Sequence, residues 1–360
     1  MKILFFNANI DYAGASKMMV DVANSLSQKH EVAFLTFRSS EVTQNLSSRV
    51  NYVFDPLFKF KFKPIEMLGQ IKALKKYLVV NEIDLIIAFL NPSNYMAIMA
   101  AFGTKTKVLL SERGDPTLRH KNRRVFRKFI KTMICKADAY VFQSEGACNA
   151  YPLHCRSKGE IIVNAIPNVT YPDYNPDNAK NIISVARFET IQKRQDVLVK
   201  AFAEFSAKHP EYVLKLVGDG PNENEIKQLV DSMGLGKKVE FLGARKDVLE
   251  LLSKSTMFVL SSDYEGLPNA LLEAMAVGVP SISTDCSPGG ARMIIEDGVN
   301  GLIVPCGDEK TLSDAMSLLA DNEEMRNEFS EKAVYVKEKF NYKKVEAQWM
   351  SLVDRLQSNK

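Results

Sequence analysis

The chain has little of what would signal disulfide, metal or membrane chemistry. Its 360 residues include only five cysteines, four histidines and one tryptophan. Cys135, Cys148, Cys155, Cys286 and Cys306 are odd in number and unevenly spaced, with no C-x-x-C pair. That excludes a disulfide-stapled scaffold and fits a reducing compartment. No Cys/His set stands at zinc-finger spacing and no H-E-x-x-H occurs. His154, beside Cys148 and Cys155, reads as surface helix and not as a metal site. No G-x-G-x-x-G follows the first strand-like run of either half, which disfavours nicotinamide-dinucleotide chemistry. The most apolar stretch, residues 86–102, is interrupted by Asn91, Pro92, Ser93 and Asn94. It falls short of the ~18 apolar residues a spanning helix needs. The opening Met1-Lys2-Ile3-Leu4-Phe5-Phe6-Asn7 turns polar too soon for a signal peptide. The expectation is a soluble cytoplasmic protein.

What remains is ample for a large core: 46% of residues are hydrophobic and 25% charged, with 18 Gly and 14 Pro. Two domains are expected, since single cores rarely grow past roughly 250–300 residues. The net charge of +4 hides an asymmetry. Residues 1–168 hold 24 Lys and Arg against 13 Asp and Glu, whereas the rest hold 23 against 30. The first half therefore suits an anionic surface and the second does not.

Short β-branched and aromatic runs alternate with helical patterns. The strand-like runs of the first half are 2–8, 31–36, 83–89, 107–112, 139–144 and 161–166. Those of the second are 181–187, 213–218, 239–243, 257–262, 279–284 and 301–304. Apolar runs without polar alternation indicate strands buried on both faces, hence βα units and parallel sheets. Residues 165–181, with three prolines and four asparagines, interrupt the pattern near the place where the charge changes sign. The reading is an α/β protein of two Rossmann-like domains facing each other across a cleft. Its parts are an N-terminal domain 1–165, a linker 166–180, a second domain 181–340 and a C-terminal helix 341–360 that crosses back to the first domain. One large doubly wound sheet is the alternative.

The most informative stretch is Glu265-Gly266-Leu267-Pro268-Asn269-Ala270-Leu271-Leu272-Glu273. It follows a buried strand, and Pro268 suits a helix's first position. Glu265 then stands in the loop at a strand's carboxyl end, and Glu273 lies inside the helix, roughly 7–8 Å further along its axis. The helix N-terminus offers N–H groups and a positive dipole to an anion such as a diphosphate. Arg187 and Lys193 follow the first strand of the second domain, at the sheet edge where open α/β sheets bind ligands. Tight turns at Gly218-Asp219-Gly220-Pro221 and at Gly243-Ala244-Arg245 complete an ordered series along that edge. Each feature alone reads equally as capping, solvated helix face or turn punctuation.

Taken in order, these segments, with Gly298-Val299-Asn300-Gly301-Leu302, resemble the GT4 family of retaining glycosyltransferases, which have the GT-B fold and a Glu-x7-Glu motif. The resemblance is dense over 180–310 and weaker before it. It implies that Arg187 and Lys193 hold the donor diphosphate and neutralise the leaving group. It places the ribose hydroxyls on Glu273 and the transferred sugar on Glu265, near the backbone of Gly266, Leu267, Pro268 and Asn269. Gly218 would also border the donor, and the base would lie near Gly243, Arg245 and Val248. In the first βα loop Gly14 matches the family, whereas Ala13 stands where the family has its first glycine. Many members carry a histidine in a loop of the first domain; here that loop reads Ser111-Glu112-Arg113-Gly114-Asp115-Pro116, so Arg113 or Asp115 would serve. Arg194 stands after Lys193 where the family often has glycine.

The implied reaction is front-face transfer with retention, the leaving diphosphate oxygen taking the acceptor's proton. No aspartate is two residues from another, so there is no D-x-D metal clamp. Arg187, Lys193 and the helix dipole would supply the positive charge, and neither metal nor other cofactor is expected. The donor reads by analogy as a UDP-hexose or UDP-N-acetylhexosamine in preference to GDP-mannose.

Two segments of the basic half bear on the acceptor. Residues 119–136 carry Arg119, Arg123, Arg124, Arg127 and Lys128 among eight cations and no acid. Residues Phe58, Lys59, Phe60, Lys61 and Phe62 alternate; as an extended strand they put Phe on one face and Lys on the other. The first also reads as a solvated helix face, and the second as an ordinary half-buried strand. No nucleic-acid motif accompanies the charge, whereas basic clusters with aromatics suit anionic lipid headgroups. The expected partners are therefore a nucleotide-sugar, a polyprenyl-diphosphate-linked or other saccharide acceptor and the cytoplasmic face of a membrane. Assembly of cell-surface polysaccharide or glycoconjugate is the expected setting. The rival readings are a GT-B sugar-nucleotide 2-epimerase and a catalytically silent nucleotide-sugar-binding scaffold.

Overall fold

The computed structural model describes all residues except 9–13, 38–42, 44, 55–62, 90–91, 118–131, 177–179, 190 and 359–360. The chain divides into two compact units, Met1–Ala165 with Lys343–Lys360, and Ile166–Tyr342.

The first unit is built on a parallel sheet of β1 (Lys2–Asn7), β2 (Glu31–Thr36), β3 (Val50–Phe54), β4 (Leu85–Phe89), β5 (Lys107–Glu112), β6 (Ala139–Phe142) and β7 (Gly159–Ile161), in the order β3-β2-β1-β4-β5-β6-β7. Helices α1 (Gly14–Leu26), α2 (Lys63–Val80), α3 (Ser93–Ala101), α4 (Glu145–Asn149) and α5 (Leu153–Arg156) connect the strands. Successive strand residues point to opposite faces, and here both faces are packed. Leu4, Phe6, Leu35 and Ile86 join α2 and α3 in one core, while Ile3, Phe5, Phe34 and Leu85 join α1 in another. That double burial is why these strands read as unbroken apolar runs.

The second unit repeats the plan with β8 (Asn181–Val185), β9 (Val213–Val217), β10 (Val239–Gly243), β11 (Met257–Leu260), β12 (Ser281–Thr284) and β13 (Leu302–Val304), ordered β10-β9-β8-β11-β12-β13. Its helices are α6 (Gln195–Lys208), α7 (Glu223–Ser232), α8 (Val248–Ser253), α9 (Asn269–Val277), α10 (Gly290–Ile294), α11 (Glu309–Asp321), α12 (Glu323–Ala333) and α13 (Val336–Lys339). In both sheets the chain winds outwards from the first strand and then restarts on its other side. The switch points fall between β1 and β4 and between β8 and β11, where such sheets open to ligands at their carboxyl ends.

The last helix, α14 (Tyr342–Ser358), packs on the first unit's sheet. Trp349 is fully buried and stacks on Phe89 at 5.8 Å. Ser25 donates to Glu346 at 2.6 Å, and Lys107 donates to the Leu356 carbonyl at 2.7 Å.

Three sequence expectations change. The strand β3 was not anticipated: it is the sheet edge, and only Val50 of its five residues is buried. The run 161–166 shifts to Gly159–Ile161; past its end Ile162 still donates its N–H to the Phe142 carbonyl of β6 at 3.0 Å, and Ile166 donates to Phe340 at 3.0 Å. Segment 167–176 has neither helix nor strand, yet it is bound to the second unit through Asn175 N–H to Ser253 and Tyr174 OH to Thr256. Phe58, Lys59, Phe60, Lys61 and Phe62, and Arg119, Arg123, Arg124, Arg127 and Lys128, lie outside the described residues.

Candidate functional site

The switch point of the second sheet brings the sequence's chemistry together. Strand β8 runs into Ala186-Arg187-Phe188, and β11 runs into Ser261-Ser262-Asp263-Tyr264-Glu265. Because β8 and β11 are paired neighbours, both loops emerge side by side. They are stitched to each other: Ser261 Oγ donates to the Lys193 carbonyl at 2.9 Å, and Asp263 N–H donates to Gln192 at 2.9 Å.

At the centre Lys193 Nζ donates to Glu265 Oε1 at 2.5 Å. Ser262 Oγ donates to the same oxygen at 2.7 Å, and Gln192 Nε2 reaches the Tyr264 carbonyl at 3.1 Å. Glu265 is only 7% exposed. A carboxylate so enclosed is held by charge and hydrogen bonds on two sides, which fixes its rotamer. An ammonium has three donors, so Glu265 orients Lys193 without exhausting it.

Arg187 stands more openly at the β8 end, its side chain 58% exposed, with Glu189 at 3.6 Å. Arg194 takes a left-handed backbone, φ 50°, which explains why glycine suits this position. Here Arg194 bonds Asp196 at 3.0 and 3.1 Å and Asp263 at 2.9 Å. The two carboxylates thus secure the strained residue next to Lys193.

The wall beside Arg187 is backbone. Gly218 lies flat against Ala186: a Cβ there would stand 2.1 Å from the Ala186 carbonyl oxygen, and its φ is +134°. Gly243, φ +65°, accepts from the Gly218 N–H at 2.8 Å. Arg245 is exposed and clamped by Asp247 in a two-bond pair at 2.6 and 2.8 Å. Val248 opens α8 immediately afterwards.

Pro268 is the N-cap of α9 and not its first helical residue, and no side chain caps the helix. The N–H groups of the first turn of α9 point out of the helix end, where an anion is favoured. Glu273 is half-buried on α9, and its charge, after burial, pushes the Tyr171 phenol up. Gly266 and Leu267 are buried in the loop before it. Gly290 presses on that loop so closely that a Cβ would lie 2.0 Å from the Gly266 oxygen.

The structure therefore brings Arg187, Lys193, Gly218, Gly243, Glu265, Gly266, Leu267, Pro268, Asn269 and Glu273 to one edge. The first-unit candidates sit otherwise. Gly14 begins α1 at the carboxyl edge of the first sheet. Arg113 is 6% exposed; Nε donates to Ser111 at 2.7 Å and Nη1 to Asn164 at 3.0 Å, with the guanidinium over Phe89 and Trp349. Burial works against its charge and Glu112 works for it. Asp115 accepts from Thr117 N–H and Oγ1 at 2.7 and 2.6 Å, a local turn. Both side chains thus have partners within the first unit. The sequence leaves Gln192, Ser262, Asp263 and Gly290 without roles; Gln192 directly precedes Lys193, Ser262 and Asp263 lie shortly before Glu265, and Gly290 has no local signal.

Two parallel doubly wound sheets, with a Lys–Glu pair beside a helix start at the second switch point, have the architecture of the GT-B fold. Residues 173–334, a little under half of the chain, match the family model described as glycosyl transferases group 1, and the chain is similar to glycosyltransferases of that type. It is 27% identical over 361 residues, 98% of each chain, to the Campylobacter jejuni GalNAc-alpha-(1->4)-GalNAc-alpha-(1->3)-diNAcBac-PP-undecaprenol alpha-1,4-N-acetyl-D-galactosaminyltransferase. A second Campylobacter jejuni enzyme, N-acetylgalactosamine-N,N'-diacetylbacillosaminyl-diphospho-undecaprenol 4-alpha-N-acetylgalactosaminyltransferase, is 25% identical, covering 92% of this chain and 93% of its own. Among solved structures, Anabaena HepE in complex with UDP and glucose superposes with a TM-score of 0.83 at 19% identity, over 99% of this chain and 100% of that one.

Proposed function

We propose that this glycosyltransferase moves a hexosyl or N-acetylhexosaminyl group, with retention, from a UDP-sugar to a lipid-linked saccharide. The Lys193–Glu265 pair at the β8/β11 switch point carries the reading. In this account Lys193 and Arg187 meet the diphosphate and gain strength as charge builds on the leaving oxygen. Glu265 accepts from sugar hydroxyls while keeping Lys193 in place, and Glu273 accepts from the ribose. The N–H groups at the start of α9 face the same anion, so no metal is needed. Acceptance of a diphospho-undecaprenol saccharide is supported by the names of the two Campylobacter relatives. The UDP preference is supported by the bound UDP of HepE.

Association with an anionic membrane surface rests on the cationic run 119–136. No helix among the described residues is long and apolar enough to cross a membrane. Thermal-shift screening of UDP- and GDP-sugars tests the donor, since a ligand at 100 times its dissociation constant stabilises by about 2.7 kcal/mol. The coupling constant of the product's anomeric proton then tests retention. Stabilisation by GDP-sugars alone, or an inverted product, contradicts the proposal.

A further inference from the structure

The first unit gathers a second set of chemically active side chains that the transfer reaction does not use. Cys135, His154 and Cys155 each offer a ligand atom, and these atoms all lie within 4.8 Å of one another. The two sulfurs are 2.7 Å apart. Cys155 is fully buried on α5, Cys135 is half-buried and His154 is exposed. The segments that carry them are joined through β6: Tyr140 of that strand donates its OH to Ile134 at 2.7 Å, next to Cys135. Spacing along the chain hides this set, because its third member lies about twenty residues upstream of the other two. Cys148, the nearer cysteine in sequence, is not part of it.

We propose that Cys135, His154 and Cys155 form a binding site for one thiophilic cation, with Zn²⁺ as the fitting divalent ion. Two thiolates and an imidazole are the donor set that soft and borderline metals prefer. A tetrahedral zinc holds sulfur at about 2.3 Å and nitrogen at about 2.0–2.1 Å, which spaces ligand atoms roughly 3.3–3.8 Å apart. Closing on the ion needs only side-chain rotation, the partly exposed Cys135 turning away from Cys155 by roughly 1 Å to meet that spacing.

The charge balances. A dication neutralises two thiolates, and Lys136, Arg156 and Lys158 flank them in sequence. The exposed imidazole marks the route of entry and the side on which a fourth position opens to water. The nitrogen separates this reading from a redox pair, since a disulfide requires the sulfurs alone. Bound there, the cation would fasten α5 to the turn that ends the cationic run 119–136.

The test uses the full chain, reduced, stripped with chelator and freed of both reagents. Zn²⁺ is titrated against a chromophoric chelator, and Co²⁺ is followed by absorption. One equivalent should bind, and Co²⁺ should give a thiolate charge-transfer band with intense tetrahedral ligand-field bands. Cys135→Ser and His154→Gln should each weaken Zn²⁺ by at least about 10–100-fold, the loss expected even from outer-shell changes. Both positions reach solvent, and circular dichroism checks that the variants fold. Unchanged affinity in either variant, or a Co²⁺ spectrum without the thiolate band, overturns the site. So does a reduced chain that binds no metal but re-forms a Cys135–Cys155 disulfide, read as a two-hydrogen mass loss.

Discussion

Glu265 draws Lys193, Ser262 and Gln192 onto one carboxylate, the Gln192 contact being the longest at 3.5 Å. Lys193 is thereby poised before any substrate arrives. Lys193→Ala should accordingly lower kcat more than it raises the donor KM, because leaving-group charge peaks in the transition state; steady-state kinetics on the donor measure both. Glu273→Ala should instead weaken nucleotide binding, with a charge-assisted hydrogen bond worth roughly 1.5–3 kcal/mol removed. Calorimetry with UDP reads that directly, and unchanged affinity would remove Glu273 from the ribose. The positions of these residues were legible, because residue order alone placed Arg187, Lys193, Glu265 and Glu273 on strand ends and in a helix, while their roles come from the resemblance. The fate of Arg113 was not legible. Its enclosure depends on Trp349, more than two hundred residues away, and no local pattern links the two.

At the scale of the element, backbone proximity decides what the loops can be. Gly218→Ala forces a Cβ towards the Ala186 carbonyl at 2.1 Å and into a positive φ. Urea denaturation should show a loss of about 1–3 kcal/mol, typical of overpacking, and donor affinity should fall with it because Arg187 follows Ala186. Helix α14 is the other decisive element. Trp349→Ala should cost about 3–5 kcal/mol, as buried aromatic truncations do, with the fall in unfolding midpoint confirming the stacking on Phe89. The helical and strand patterns of most elements could be read because both sheet faces are covered, so apolar runs and strands coincide. The exceptions are instructive. Edge strand β3, Val50-Asn51-Tyr52-Val53-Phe54, has Tyr52 and Phe54 exposed at 36% and 46%; it is short, and Asn51 interrupts its apolar residues. Ile162 and Ile166 show the converse, buried apolar residues that lie past the end of β7.

For the whole molecule, the division of charge along the chain separates two kinds of test. Donor chemistry, supplied by Arg187, Lys193 and the start of α9, should persist in EDTA; complete loss that Mg²⁺ or Mn²⁺ restores would contradict a metal-free transfer. Attraction to a leaflet should come from the cationic run, at about 1 kcal/mol per cation near the surface and within a Debye length of ~8–10 Å. Sedimentation with vesicles should therefore require anionic lipid and weaken with salt. Replacing Arg123, Arg124, Arg127 and Lys128 by Ser should abolish it while UDP binding survives.

The central claim is that the Lys193–Glu265 station transfers sugar to an acceptor. Free UDP, measured from a UDP-N-acetylhexosamine or UDP-hexose with and without a diphospho-undecaprenol saccharide, tests it most directly. The account predicts UDP release that needs the acceptor and falls sharply in Glu265→Gln. Equal release without acceptor, or turnover unaffected by that substitution, would contradict it.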